Sequence, residues 1–369
     1  MRITKVEALP VTAVMDEPVR IATAVFTEVR ATIVRVTADE GLVGIGECLV
    51  RSAPRATASI VEDMLAPKII GMDPMDAGSI WWEMFSAMRT RGHTKGVVLE
   101  AMSGIDVAIW DIIGKATGMP TFKVLHGYGR RVLPAYASSI FMGDVAEMTS
   151  QAVHFIELGY KAMKIKIGSG IDRDEEAVKA IRSVVGDSVK LMVDCNSAYD
   201  AGTAVRLGRR LEKYEIEWLE EPVPPYDLKG YEAVRAGQPI PLASGEGEFA
   251  TYGFRDLLAT GAVSYAQPDL GRVGGFTEGM RVAALAHASN VYLAPHTGMC
   301  SALNIVATMH FAAAAPGFFM FEFMEVNHPL MDIFTTPMPK PVNGVITLPS
   351  EPGIGVELDM GKLERWIER

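Results

Sequence analysis

Cysteine is scarce in this sequence: Cys48, Cys195 and Cys300 are the only three, and none forms a CxxC pair. Widely spaced single thiols exclude a disulfide framework and a thiolate zinc site, and they suit a reducing, cytoplasmic setting. Long apolar runs are missing too. Each stops well short of the roughly 18 residues a membrane span needs, and the opening MRITKVEALP has no signal-peptide core. Positive charge is in deficit, with 35 Lys and Arg against 45 Asp and Glu, a net charge of −10. That argues against nucleic acid or an anionic membrane as a partner. A small anionic substrate stays open, because a local cationic site can overcome a modest global field.

What is present is ordinary for a large enzyme: 369 residues, 49% hydrophobic and 22% charged. This length suits one large domain with a smaller companion. Residues 1–125 read as an α+β capping domain. ITKVEALPV and EVRATIVRVTADEGLVGIGECLV alternate as strands around a turn at Asp39-Glu40-Gly41. Helical patterns follow near 55–65 and 79–89, then VVLEAMSGIDVAIWDIIGKATGM, which stops at Gly118-Met119-Pro120.

From about residue 130 a period sets in. Short β-like runs alternate with amphipathic helical stretches, and each run ends near a polar residue: Ser138, Lys166, Asp194, Glu220, Glu246, Asp269, His296 and Glu322. These eight residues are 23 to 28 positions apart, the length of a strand, a helix and two short loops. The fold class expected is therefore α/β, a (β/α)8 TIM-type barrel over residues 126–325, with its site at the C-terminal strand ends. Residues 326–369 are expected to return to the capping domain.

The stretch AMKIKIG, residues 162–168, shows what the barrel does to local chemistry. Met163, Ile165 and Ile167 alternate with Lys164 and Lys166, so the two lysines share one strand face. A strand on a surface would leave them in water. In a barrel the isoleucines suit the helix side and both ammonium groups point inward.

Asp194, Glu220 and Glu246 close three consecutive strands, and three converging carboxylates repel unless something neutralises them. An oxygen-seeking dication, Mg2+ first, is the natural answer. Beside it, Lys164 disfavours the charged form of Lys166, making Lys166 a usable general base. His296 can serve the opposite face of a substrate, with Asp269 accepting from its other ring nitrogen. Glu322, protonated or hydrogen-bonded, could hold a substrate carboxylate oxygen. Together these residues suit removal of a weakly acidic α-proton from a carboxylate chelated by the metal.

These residues resemble the enolase superfamily, and within it the mandelate racemase group. Further likeness lies in GLVGIGE, AMSGIDVAIWDIIGKATG and PVNGVITLPSEPGIGVELD. The Lys-x-Lys signature matches Lys164 and Lys166, the metal ligands match Asp194, Glu220 and Glu246, and Asn196 matches a polar residue lining that site. The His–Asp dyad matches His296 and Asp269, and the last-strand acid matches Glu322. Asp269 stands where muconate-cycloisomerase-like relatives carry a second lysine, which excludes their lysine–lysine arrangement.

The resemblance implies one Mg2+ per subunit, a small carboxylate substrate and a homo-oligomer, octamer or dimer. RAGQPIPLASGE and AQPDL are also similar to galactarolactone cycloisomerases. Sugar-acid dehydration is the first expectation, with 2-hydroxy-acid racemisation or epimerisation and lactone cycloisomerisation as alternatives. Substrate-facing pieces are expected around residues 15–29, where Arg20 is a candidate contact, and 48–55. The roles of Glu248 and His93 stay open. Gly168-Ser169-Gly170 and Gly274-Gly275 read as tight turns rather than phosphate loops, and Cys195 as an outward, inert thiol.

Overall fold

The computed structural model describes residues 1–125 and 127–368. The chain opens with a three-stranded antiparallel sheet, β1 (Ile3–Arg20), β2 (Val25–Ala38) and β3 (Val43–Leu49), in that order. Alternation lets β2 serve two cores. Val29, Ala31 and Ile33 join the core that continues into the barrel, while Val34 and Val36 pack with Leu99, Met102 and Ile105 of the cap. The helix Val97–Thr117 is buried over most of its circumference and ends at Gly118, which is left-handed. No described helix is long and apolar enough to cross a membrane.

Strand β1 runs further than its sequence pattern suggests, through to Arg20. An irregular register between Val14 and Val19 accompanies this extension, and such bulges bend a ribbon. The hairpin tip, closed by Ile21 N–H donating to Ala24 O at 3.0 Å, reaches the barrel at Gly168. A Cβ on Gly168 would lie 2.5 Å from that of Ala22, so the glycine ending AMKIKIG makes room for the cap.

Eight parallel strands then follow: β4 (Val132–Ile140), β5 (Ala162–Lys166), β6 (Lys190–Asp194), β7 (Ile216–Glu220), β8 (Leu242–Ser244), β9 (Val263–Ala266), β10 (Tyr292–Leu293) and β11 (Phe321–Phe323). Their spatial order is β10-β9-β8-β7-β6-β5-β4-β11. Leu293 joins the two ends of the row, donating to Gly317 O at 2.9 Å and accepting from Phe319 N–H at 2.8 Å. The eight strands are the eight runs read from the sequence.

A short strand β12 (Val345–Thr347) pairs antiparallel with β4. Beyond it, Gly353 O accepts from Thr121 N–H at 2.8 Å, and Glu368 N–H donates to Pro10 O at 2.8 Å. Ile354 N–H donates to Asp111 of the cap helix at 2.9 Å. The C-terminal residues thus touch both barrel and cap.

Candidate active site

Strand β5 divides its side chains as a barrel requires. Met163 and Ile165 enter the hydrophobic core, while Lys164 is fully buried and Lys166 only 4% exposed among polar neighbours. Lys164 Nζ contacts Glu220, lies 2.8 Å from Glu322 and 3.6 Å from Asp194. Burial alone would depress its pKa, but Glu220, Glu322 and Asp194 reverse this and hold the ammonium well above its usual range. Lys166 Nζ lies 2.5 Å from Asp194 Oδ2.

The acids are fixed by their own partners. Burial would raise Asp194, yet Lys166 and Lys164 keep it at about 2. Glu220 accepts from Trp218 Nε1 at 2.9 Å and Gln267 Nε2 at 2.7 Å. Burial, then the charge of Asp194, push Glu220 upward, making it the reluctant member to ionise. Glu322 accepts from Ser138 Oγ at 2.5 Å and Thr297 N–H at 2.9 Å. Burial would raise it too, but Lys164 and His296 hold it well below the usual carboxylate range.

Glu246, Asp269 and His296 sit just beyond the regular parts of β8, β9 and β10. Pro268 and Pro295 lack the N–H that would continue the ladder. Asp269 and His296 nevertheless bridge as parallel neighbours. His296 Nδ1 lies 2.7 Å from Asp269 Oδ2, and Nε2 lies 3.1 Å from Glu246 Oε2. Gly271 N–H and Asn304 Nδ2 donate to the other oxygen of Asp269 at 2.9 and 3.3 Å. Burial would lower the imidazole pKa, but Glu246, Glu322 and Asp269 raise it to about 9.

The residues present fit an oxygen-seeking dication. One carboxylate oxygen each from Asp194, Glu220 and Glu246 lie within 4.8 Å of one another, and hard divalent ions take such donors. Asn196 stands beside them, its Nδ2 3.3 Å from Asp194 and its buried Oδ1 without a partner among the described residues. Asn196 and Glu221 hold left-handed backbone, with φ of 42° and 37°, a form of strain concentrated at functional sites.

A cavity of about 80 Å3 opens over these groups. Lys166, Asn196, Glu246 and His296 line it from the barrel, and Ile21, Phe26 and Arg51 line it from the cap. Arg20 does not reach it. The β1–β2 turn points Ile21 there instead, and Arg20 lines an adjoining cavity of about 390 Å3 with Arg173 and Ser169. Arg51, inside the 48–55 segment, is the cap cation that the sequence did not single out.

Glu248 is buried near Lys95 and Arg272, outside the acid triad, and burial raises its pKa. His93 is exposed. The N–H groups of Gly168 and Ser169 are taken by Asp174 at 2.9 to 3.1 Å, so that loop is a turn closed on the chain itself. Cys195 lies in the apolar core, where burial pushes its thiol up.

A (β/α)8 barrel with acids, lysines and a His–Asp pair at its mouth, under an α+β cap, defines a class that comparison makes explicit. Residues 3–126 match the mandelate racemase / muconate lactonizing enzyme N-terminal domain, and residues 147–362 match the enolase C-terminal domain-like family. The chain belongs to the enolase superfamily, in its mandelate racemase and muconate lactonizing enzyme family, and is an enzyme of the lyase or isomerase kind.

It is 36% identical to D-galactarolactone cycloisomerase of Agrobacterium fabrum, over 98% of this chain and 98% of that protein. It is 33% identical to L-rhamnonate dehydratase of Saccharopolyspora erythraea, over 89% of this chain and 83% of that protein. A racemase from Streptomyces coelicolor A3(2), solved with bound magnesium, superposes with a TM-score of 0.92 at 29% identity, over 99% of this chain and 100% of that one.

Proposed function

We propose that the protein is a Mg2+-dependent enzyme that takes the α-proton of a small sugar acid and expels the oxygen on the next carbon, in its simplest form a sugar-acid dehydratase. The observation that carries this reading is the pairing of Lys166 and His296 around one cavity, beside three convergent acids. Asp194, Glu220 and Glu246 would hold the ion. Magnesium, when bound, supplies positive charge that stabilises the substrate carboxylate as its α-carbon becomes more acidic.

The chain's own groups carry the rest. Lys164, buried and cationic, faces the same carboxylate with Glu322 oriented behind it. Lys166 takes the α-proton as its C–H bond breaks. The electron pair forms the bond to the β-carbon, and the β-carbon–oxygen bond breaks. His296, with a carboxylate against each ring nitrogen, favours its protonated form and delivers the proton that turns the departing hydroxyl into water. The enol left behind becomes a 2-keto acid. The cap's apolar contacts exclude bulk water from the cavity.

A panel of aldonates, aldarates, their lactones and simple 2-hydroxy acids, incubated with Mg2+ in deuterated water, tests this. We expect a 2-keto product that carries solvent deuterium at C3, where the enol is protonated. Inversion without a keto product would replace elimination by racemisation, and a panel with no 2-keto product, no inversion and no α-exchange in any compound would refute proton abstraction. A homo-oligomer of cytoplasmic location completes the proposal. Concentration-independent monomers in sedimentation would count against the assembly.

A further inference from the structure

We infer that Glu47, a buried acid of the cap, and Asn304 of the barrel are positioning residues for the general acid, acting through Asp269 on His296. This rests on the elimination reading above, in which His296 protonates the departing oxygen. It adds two residues that lie outside the catalytic cavity and makes the acid step depend on how the cap is seated.

The helix Ala302–Ala314 begins at Ser301, whose Oγ accepts from Leu303 N–H at 3.1 Å. In a capping box the third helical residue, usually Glu or Gln, folds back onto the N-cap N–H. Asn304 holds that third position, yet its side chain goes elsewhere. Its Nδ2 donates to Asp269 Oδ1 at 3.3 Å. Glu47, reaching in from β3, does the capping instead. Its carboxylate accepts from Ser301 N–H and Asn304 N–H, each at 3.1 Å, and from Ser301 Oγ. Asn304 is thus held by the cap through its backbone and holds Asp269 with its side chain.

The second donor to Asp269 is backed by the same strand. Gly271 N–H donates to Asp269 Oδ1 at 2.9 Å. A Cβ on Gly271 would lie 2.9 Å from Leu49 Cβ and 3.2 Å from Asn304 Oδ1. Strand alternation puts Glu47 and Leu49 on one face of β3. That face therefore fixes both donors to one oxygen of Asp269, and the other oxygen meets His296 Nδ1 at 2.7 Å.

Joining cap to barrel does not by itself call for an acid. Glu47 is fully buried, and no cation pairs with it among the described residues. Apolar side chains would join the two domains without the cost of burying a carboxylate. What the carboxylate adds is acceptance from three donors that fix where the helix, and Asn304 upon it, begins.

The competing role is a plain domain clip. Each compound of the panel above that wild type converts would be incubated with Mg2+ in deuterated water. Two quantities are read, 2-keto product and α-deuterium in recovered substrate. A misplaced His296 stalls the reaction after Lys166 has taken the proton, so substrate exchanges instead of eliminating. Asn304→Ala and Glu47→Ala should each lower product formation about ten- to a hundredfold, the scale of losing an outer partner of a functional histidine. The ratio of exchange to product should rise at least tenfold in both. Glu47→Gln should fall between, because its amide oxygen can still accept from Asn304 N–H. The double variant should lose no more than the worse single, since both substitutions break one chain. Trp110→Phe removes a different cap–barrel bond, Nε1 to Thr277 Oγ1 at 2.9 Å, and should leave the ratio unchanged.

A fall in product at an unchanged ratio makes Glu47 a clip and overturns the inference, with the elimination reading left standing. Losses that multiply in the double variant, or an equal rise of the ratio in Trp110→Phe, overturn it as well. Should Glu47→Ala fail to fold, Asn304→Ala and Glu47→Gln carry the same ratio test. A wild type that makes no 2-keto product from any compound overturns the elimination reading and this inference with it.

Discussion

A Cβ on Gly298 would sit 2.5 Å from His296 Nε2. The imidazole cannot give way freely, because its other nitrogen is tied to Asp269 at 2.7 Å. Gly298 lies outside the left-handed region, so alanine suits the backbone and offends only the ring. Gly298→Ala should therefore displace His296 without unfolding the barrel. Turnover should fall by about a hundredfold or more, the usual scale of losing a positioned acid or base, with little change in Tm. Full activity in this variant would show that the imidazole position does not matter.

The acid triad predicts metal-linked stability. A ligand that binds only the folded state stabilises it, by about 2.7 kcal/mol at a hundred times its Kd. Adding Mg2+ to chelator-treated protein should raise Tm, and Glu220→Gln should remove most of that rise by taking away one of three anionic donors. The comparison is made with and without Mg2+ in each variant, so any loss of stability from the substitution itself cancels. An unchanged Mg2+ response would place the ion elsewhere.

The barrel was legible because its signal is periodic. Lys164 and Lys166 declare their faces by alternating with Met163, Ile165 and Ile167, and each strand end carries a polar residue at a regular interval. Arg51 carries no such signal. Its place depends on the carbonyls of Gly298 and Met299, far along the chain, and nothing local in CLVRSAPR marks it. Arg20 was chosen as the cation of its segment, but β1 continues through it, and the turn after it sends Ile21 into the catalytic cavity. The partners of Glu220 were hidden for the same reason as Arg51. Trp218 shares its strand face two residues earlier, yet Gln267 arrives from the residue after β9, and only the closed barrel brings them together.

Lys166 and His296 should divide the roles of base and acid. In deuterated water, Lys166→Ala should lose both α-exchange and 2-keto product, whereas His296→Asn should lose the product and keep α-exchange at the carbon facing Lys166. Mass spectrometry or proton NMR of recovered substrate and product reads this directly. If Lys166→Ala kept wild-type exchange on every reactive compound, Lys166 would not be the base.

His310 joins three parts of the chain, and its titration should show in stability. The imidazole is fully buried in the helix Ala302–Ala314. Its Nδ1 accepts from Phe122 N–H at 3.2 Å, and Nε2 faces Ile354 O at 3.0 Å. Only the neutral ring can accept at Nδ1 while donating at Nε2. Burial lowers its pKa from 6.5 to about 4, opposed weakly by the bond to Ile354. In the unfolded chain the ring gains a proton near pH 6.5, so between that pH and 4 the unfolded state binds more protons. The stabilisation is therefore complete above pH 6.5 and drains away as pH falls through 4, by about 3 kcal/mol in all. Glu47, raised to about 7 by burial, contributes with the opposite sign over part of that range, so the wild-type profile alone is a composite. The difference between wild type and His310→Gln isolates the histidine. That difference should be largest near pH 7 and shrink steadily toward pH 4 in denaturant titrations, and a gap independent of pH would show that His310 is not held neutral.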